Sequence, residues 1–527
     1  MIKLGLRRFV QRRLNVVAGF GLLASVLMLD TPAYAQDSRP RFAVTGYAVT
    51  GENPFSAADT QALLEPFTGE AVTLDRLQSA AAALETALKE RGFNFLRVVI
   101  PPQDAQGVIT LRVLAFKLNA VNVSGNQHFD TANIRASLPA LQSGVTPNLR
   151  EIARAQALAN DHPSKQVSVT IQQGKVPDTV DAALKVEDSK PLQFFASLDN
   201  SGTKQSGHTR LGVGVSHSNL FNRDHSVTAT YTTSPDGHVS DLQQYGLYYR
   251  APFYSLGGAL SAYYTKSDTN TGVVANFFNV SGSGEFMGVR WTHRLLPLGS
   301  YSHAAEIGLE DRFFGNGTTF NNVPIGTDVR SRPLLLRYTG RLDGAAYALA
   351  GNLEFASNLS GGSGNNDRAY TANRAGADSG WQAWRYALQG SQALGTWTLN
   401  AKLRGQASAD ALIPGEQFGL GGANGVRGLE EREGTGDQGL LGSVELMSPQ
   451  IAQGLRVLVF SDAGQARSHQ AGAGINAREG ASSAGAGLRY QWRRNLSVVL
   501  DWAQVLNGAG TTNKHDNRVH ASLSLRF

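Results

Sequence analysis

The stretch NLSVVLDWAQVL (residues 495–506), followed by VHASLSLRF (519–527), decides how this chain is read. Leu496, Val498, Leu500 and Trp502 share one face of the first; Val519, Ala521, Leu523, Leu525 and Phe527 share one face of the second. A period of two belongs to strands. The same alternation runs back to about residue 190: Val227, Ala229, Tyr231; Tyr245, Leu247, Tyr249; Leu256, Leu260, Tyr264; Leu334, Leu336, Tyr338; Tyr347, Leu349, Leu353, Phe355; Trp397, Leu399, Leu403; and Ala486, Leu488, Tyr490, Trp492. The residues between are largely polar, charged or glycine, and SDTNTG (267–272), SGGSGNND (360–367) and NAREGASSAG (476–485) read as turns and loops. One apolar and one wet face, with aromatics near segment ends, is the pattern of a transmembrane β-barrel. A soluble β-sandwich also alternates, but it explains neither the aromatic positions nor the export signal described next. About 335 residues at roughly 20 per strand and connection predict about sixteen antiparallel strands over 189–527.

The N-terminus supplies the compartment. Lys3, Arg7, Arg8, Arg12 and Arg13 precede a run from Val16 to Leu29 that is apolar apart from Ser25, and then Ala33-Tyr34-Ala35. This reads as a secretory signal peptide over 1–35, cleaved between Ala35 and Gln36. Its removal lowers the net charge from +6 to about +2, because five basic residues and Asp30 leave with it. No concentrated basic stripe remains, so nucleic acid is not expected as a partner. There is no cysteine, which excludes disulfides and thiolate metal sites.

Residues 36–188 mix strands with amphipathic helices. FAVTGYAVTG (42–51) reads as a strand, Ser56 to Asp59 as a helix start, and Leu74, Leu77, Ala81, Leu84 and Leu88 as a helical face ending before Gly92. FNFLRVVI (93–100) and GVITLRVLAF (107–116) follow as strands, an order of β-α-α-β-β. That order repeats with LNAVNVSGN (118–126), helices over 131–138 and 146–160, and the strands VSVTIQQG and TVDAALKVED. Two tandem modules, 36–116 and 117–188, are predicted.

No G-x-S-x-G, H-E-x-x-H or P-loop pattern is present, and the histidines lack ligand spacing. Neither an enzyme nor a cofactor or metal site is expected. GGANGVRGLEEREG (421–434) is glycine-rich yet is no nucleotide fingerprint: Asn424 stands where the third glycine after Gly419 and Gly421 would fall, beside barrel strands.

Together the signal peptide, two small α+β modules, barrel, GVRGL loop and terminal Phe527 resemble the Omp85 superfamily. Within it the chain is most similar to the two-partner secretion transporters of the ShlB/FhaC-like hemolysin-activator family, over essentially the whole mature chain. The resemblance implies that the modules are POTRA domains and that Val426-Arg427-Gly428 lies on a sixth loop, around 419–436, folded back into the barrel. It further implies that Phe460-Ser-Asp462-Ala-Gly464 is the F-x-D-x-G strand motif whose acid pairs with the loop arginine, and that Phe527 is the C-terminal assembly signal. Alternation agrees for this strand: Leu455, Val457 and Val459 face lipid, so Arg456, Leu458, Phe460 and Asp462 face the lumen. A carboxylate shielded there calls for a bidentate partner, which Arg427 can supply. Leu429 departs from the aromatic that usually follows V-R-G. QDSRP (36–40) is too short to hold the plug helix of many relatives, so no N-terminal plug is expected.

The implied function is export of an unfolded partner exoprotein, of adhesin or cytolysin type, from the periplasm through the outer membrane of a Gram-negative cell. Lipid surrounds the barrel, and the barrel-assembly machinery is met during biogenesis. The modules would capture cargo by β-augmentation, with 93–100, 107–116, 167–172 and 179–187 as candidate edges. The alternative is an assembly factor of the same superfamily, which predicts a lateral seam. A diffusion porin would need no periplasmic modules.

Overall fold

The structure, a computed structural model, describes residues 40–527 except residue 105 and segments 203–206, 237–241, 268–271, 275–277, 281–282, 316–318, 321–322, 325–326 and 471–476. The signal peptide, the Ala35–Gln36 cleavage site and the question of a plug helix all lie outside the described residues.

The first module holds β1 (Arg41–Gly51), α1 (Ala57–Leu64), β2 (Gly69–Thr73), α2 (Leu74–Glu90), β3 (Leu96–Val99) and β4 (Gly107–Ala115). Ser56 caps α1 by accepting from the Asp59 N–H at 3.1 Å. α2 turns Leu77, Ala80, Ala81, Leu84 and Leu88 onto the sheet, one face of a 3.6-residue period. The strand β2 is absent from the expected order: five residues between two helices show too little alternation to read, yet pair antiparallel with the start of β1.

The sheet order is β2-β1-β4-β3, with β1 and β4 parallel. The second module, β5 (Lys117–Ser124), α3 (Thr131–Ala136), α4 (Leu149–Asn160), β6 (Lys165–Gln173) and β7 (Thr179–Asp188), has the order β5-β7-β6. In both, the chain crosses over through its helices and lays its last strand in the middle of the sheet. This corrects two of the expected docking edges: 107–116 and 179–187 are interior strands whose backbone groups face neighbours on both sides. β3 and β6, within 93–100 and covering 167–172, do lie at edges, as do β2 and β5. α4 begins three residues later than expected, because Asn148 caps it by accepting from the Arg150 and Glu151 N–H groups.

The modules abut at Gly92. Its φ of +95° ends α2, and a Cβ there would lie 2.3 Å from Asn148 Oδ1. The Leu149 N–H donates to the Gly92 carbonyl at 2.8 Å.

From Leu192–Asp199 to Asn517–Arg526 the chain forms one closed antiparallel barrel of sixteen strands. Val329–Ser331 and Pro333–Asp343 pair with the same neighbour and count as one. Apolar side chains such as Leu247, Val289, Leu309, Leu336, Leu353, Leu388, Val444 and Val459 stand exposed on the outside, with Trp384, Trp397 and Trp492. That outer surface suits hydrocarbon, not water. No helix among the described residues is long and apolar enough to cross a membrane. Leu256, read as part of a strand face, sits in a short turn, Tyr254–Leu256.

Both barrel termini and the second module lie at the end with short turns; the long connections 359–381 and 408–437 lie at the other, outer end. Arg478–Trp492 is strand through most of NAREGASSAG, which corrects its reading as a loop. The small residues there make room inside: Ala481 and Ser483 are buried, and a Cβ on Gly485 would lie 2.6 Å from the Phe460 ring.

The second module docks on the barrel turn at Phe221–Asp224. Lys165, fully buried, holds Asp224, which also accepts from Asn133 Nδ2 at 2.9 Å and Tyr254 OH at 2.6 Å. His162 Nε2 lies 2.6 Å from the Ser218 carbonyl, while its Nδ1 accepts from the Ser164 N–H at 3.1 Å. That pairing specifies a neutral imidazole. Burial, only partly offset by Asp224, holds the pKa of His162 at about 4.

Candidate functional site

The long connection between Trp397–Ala407 and Gln438–Met447, the sixth on the outer side, folds back into the lumen. A two-residue hairpin, Phe418–Gly419 against Thr435–Gly436, sends it inward. At its tip the Val426 N–H donates to the Leu420 carbonyl at 2.8 Å, and Gly428 takes φ +104°. A Cβ on Gly428 would approach Val505 Cγ2 to 2.8 Å, so a glycine is needed both for its dihedral and for its closeness to the wall.

Arg427 reaches mid-strand depth. Its Nε donates to Asp462 Oδ2 at 2.7 Å and its Nη2 to Asp462 Oδ1 at 2.8 Å, a bidentate pair. The Arg427 N–H adds a third bond to Asp462 at 3.2 Å. The guanidinium carbon lies 3.3 Å from the centroid of Phe460. Gly464 leaves space for the loop: a Cβ there would stand 3.0 Å from Leu420 Cδ2. The structure therefore brings Val426, Arg427, Gly428, Phe460, Asp462 and Gly464 together. Ala35 and Gln36 are not described, and Phe527 lies at the opposite end of the barrel, its N–H donating to the Phe194 carbonyl at 2.8 Å.

Leu429, where the resemblance led to an expected aromatic, is fully buried among Phe418, Leu420, Val426, Leu441, Ala466, Ala481, Val505 and Ala509. These mostly small and medium side chains, with the ring of Phe418, fill the lumen around the loop without an aromatic at position 429.

Sequence reasoning missed further partners. Arg427 Nη1 also donates to Glu445 at 2.7 Å and to Asp501 at 3.3 Å, and Nη2 to Ser443 Oγ at 3.2 Å. His520 Nε2 accepts from the Gly428 N–H at 2.9 Å. Their signal was present: Glu445, Asp501 and His520 are each flanked by apolar residues at the outward positions of their strands (Val444 and Leu446, Leu500 and Trp502, Val519 and Ala521). One desolvated cation among three carboxylates holds only with further hydrogen bonds to the carboxylates, and Arg489 supplies them at 2.6 Å from Asp501.

The outer loops close over this. Asp437, fully buried at the loop's end, accepts from Arg374 Nη2 at 2.9 Å, the Leu412 N–H at 2.9 Å and the His469 N–H at 2.8 Å, tying three loops together. Tyr370 on the short helix Asp367–Asn373, with Trp381, packs on Leu412, Ile413 and the inner wall at Phe286, Phe314 and Leu335. Below the tip, toward the second module, a cavity of about 1160 Å³ is lined by Asn424, Arg427 and Gln193 and by Asp161 and Pro163 of that module.

A profile for the haemolysin secretion/activation protein ShlB/FhaC/HecB matches residues 179–490, and one for the ShlB-type POTRA domain matches 42–115. The heme/hemopexin transporter protein HuxB of Haemophilus influenzae is 23% identical over 480 residues, 86% of this chain and 81% of HuxB. The outer membrane transporter CdiB of Dickeya dadantii is 24% identical over 410 residues, 72% of this chain and 68% of that protein. Among solved structures, CdiB from Escherichia coli matches with a TM-score of 0.75 at 18% identity, covering 95% of this chain and 93% of that one. CdiB from Acinetobacter baumannii matches with a TM-score of 0.70 at 16% identity, covering 93% and 90%. These two likenesses concern the fold. The profile match over more than half of its length settles the relationship: the chain belongs to the haemolysin secretion/activation protein ShlB/FhaC/HecB family, as an outer-membrane barrel with its POTRA end in the periplasm.

Proposed function

We propose that this protein captures an unfolded partner exoprotein with its periplasmic modules, the second acting as a POTRA domain like the first, and exports it through the barrel. The signal peptide over 1–35 would deliver the chain to the envelope and Phe527 would address it to the assembly machinery. In the resting state the inward loop, latched by Arg427 on Asp462, narrows the lumen; transit requires the latch to open. The observation that carries this reading is the depth of Arg427, an outer-loop residue paired at mid-barrel above a cavity that opens toward the second module. Edge strands β2, β3, β5 and β6 offer backbone groups for an extended cargo.

The test is deletion of the gene, with the partner exoprotein assayed in the medium, followed by complementation with Asp462→Ala and Arg427→Ala. Loss of export on deletion and a comparable defect in both variants are expected. Wild-type export by either variant would remove the latch, and unchanged export on deletion would remove the function.

One observation favours the alternative, an assembly factor with a lateral opening. The ladder of the last strand with the first spans Ser522–Arg526, prolonged at its two ends by the Phe527–Phe194 backbone pair and by the Asn200 N–H donating to the Ala521 carbonyl, and is shorter than the ladder with its predecessor, which runs from Asn517 to Leu525. A depletion of other outer-membrane barrels on gene deletion would support it.

A further inference from the structure

A second charged cluster lines the opposite side of the lumen, and the latch motif takes no part in it. Eight side chains form a closed ring of alternating sign: Arg290, Glu306, Arg337, Glu354, Arg385, Glu416, Arg312 and Glu310, each paired with the next and the last with the first. Seven of them stand on inward positions of five consecutive strands, from Ser283–Arg294 to Gln382–Leu394. Glu416 alone comes from the inward loop, eleven residues before Arg427. It is almost completely buried, with Arg312 Nη1 at 2.6 Å and Arg385 Nη2 at 2.7 Å from the same carboxylate oxygen, Oε2. Gln406 fastens the backbone at the same place, donating to the carbonyls of Glu416 at 3.0 Å and Asp437 at 3.1 Å.

The two clusters are complementary to the loop in opposite senses. Without Glu416, the ring keeps four arginines and three glutamates, a surplus of one positive charge. Without Arg427, its cluster keeps Glu445, Asp462 and Asp501 against Arg489, a surplus of two negative charges. A charge with no partner in a shielded wall is costly, so each wall holds the loop residue of opposite sign. We infer that Glu416 is a second anchor of the inward loop, a positioning residue that fixes the loop base to an arginine-rich wall while Arg427 fixes the tip to a carboxylate-rich one. Opening for transit then requires both pairs to part, and it bares two facing strips of opposite charge. This rests on the reading of the barrel as the transport pathway.

The polarity makes the inference testable apart from folding. Purified full-length protein in planar lipid bilayers is compared with Glu416→Gln, Glu416→Asp, Arg385→Gln and Arg427→Gln, recording conductance and the reversal potential in a salt gradient. Glu416→Gln is expected to raise the frequency of open events roughly tenfold or more, since removing one partner of a buried pair is strongly destabilising. It should also shift the reversal potential toward anions. Arg427→Gln should raise opening too, but shift the potential toward cations. Arg385→Gln breaks the same pair from the wall side, so opening rises while selectivity moves toward cations. Glu416→Asp, which keeps the charge, should stay near the wild type. If Glu416→Gln does not assemble as a heat-modifiable barrel, Arg385→Gln decides the question. Wild-type conductance and selectivity in Glu416→Gln, or in Arg385→Gln where that variant decides, overturn the second anchor. If Arg427→Gln still opens the pore in that case, the transport pathway stands without the second anchor; if no variant alters the current, the pathway falls as well.

Discussion

The two walls of the lumen hold the same loop by different means. At the tip, Arg427 is the single cation at the centre of three carboxylates, stacked on Phe460 and 4% exposed at its side chain. At the base, Glu416 is one member of a ring in which every residue has two partners. Removing the centre leaves Glu445, Asp462 and Asp501 facing one another with Arg489 alone to offset them. Removing a ring member leaves Arg312 and Arg385 with one carboxylate each. A star fails when its centre is lost; a ring opens but keeps its remaining bonds. The loop is therefore expected to depend more on Arg427 than on Glu416.

The largest expected effect follows from that difference. Arg427→Gln should destabilise the loop by about 3–5 kcal/mol, and by more than Glu416→Gln. Limited proteolysis of the loop in detergent measures both, and equal susceptibility would break the contrast. Asp462→Asn should behave like Arg427→Gln, because it takes away the bidentate acceptor.

A pH series separates these walls from the junction with the second module. His162 has its pKa lowered from 6.5 to about 4, so the folded junction favours the neutral ring. Its contribution is full above about 6.5, declines as pH falls from there to about 4, and is lost below; the whole shift is worth roughly 3 kcal/mol at most. The protection of the β6 amides, their exchange rate corrected for the intrinsic pH dependence of amide exchange, should therefore fall between pH 7 and pH 4.5. In His162→Gln that pH step should vanish, and a step that survives would assign the acid sensitivity to another group.

Gly428→Ala tests the backbone at the tip. It forces a side chain onto φ +104° and within 2.8 Å of Val505, a strain of about 1–3 kcal/mol. Loosened Arg427 and a partial loss of export are expected, and Val505→Ala should recover the steric share but not the dihedral one. The smallest effect belongs to Phe460→Leu. It keeps an apolar floor but gives up the cation–π contact, roughly 0.5–2 kcal/mol; full export with slightly raised conductance is the expected result.

Much of this was legible beforehand. The alternation of Leu496, Val498, Leu500 and Trp502 is a local property, so the barrel and its outward face could be read from one strand at a time. The helical face of α2 and the cap at Ser56 are local in the same way. Arg427 and Asp462 could be matched because each sits in a recognisable short motif. Glu416 sits in none, and its partners Arg312 and Arg385 are 104 and 31 residues away.

By itself, then, the sequence marked the lipid-facing positions of most strands and the helical face of α2, because period and caps act within a few residues, while the resemblance to a known family singled out the loop and strand motifs that carry Arg427 and Asp462. Tertiary structure alone decided which strands are edges, since the crossover that puts β4 and β7 in mid-sheet is a matter of pairing between distant segments. It also decided that Ala481 and Ser483 belong to a strand beneath the loop, and that the loop carries two anchors of opposite sign. Charge complementarity across a lumen depends on which strands become neighbours when the barrel closes, and no window along the chain contains that information.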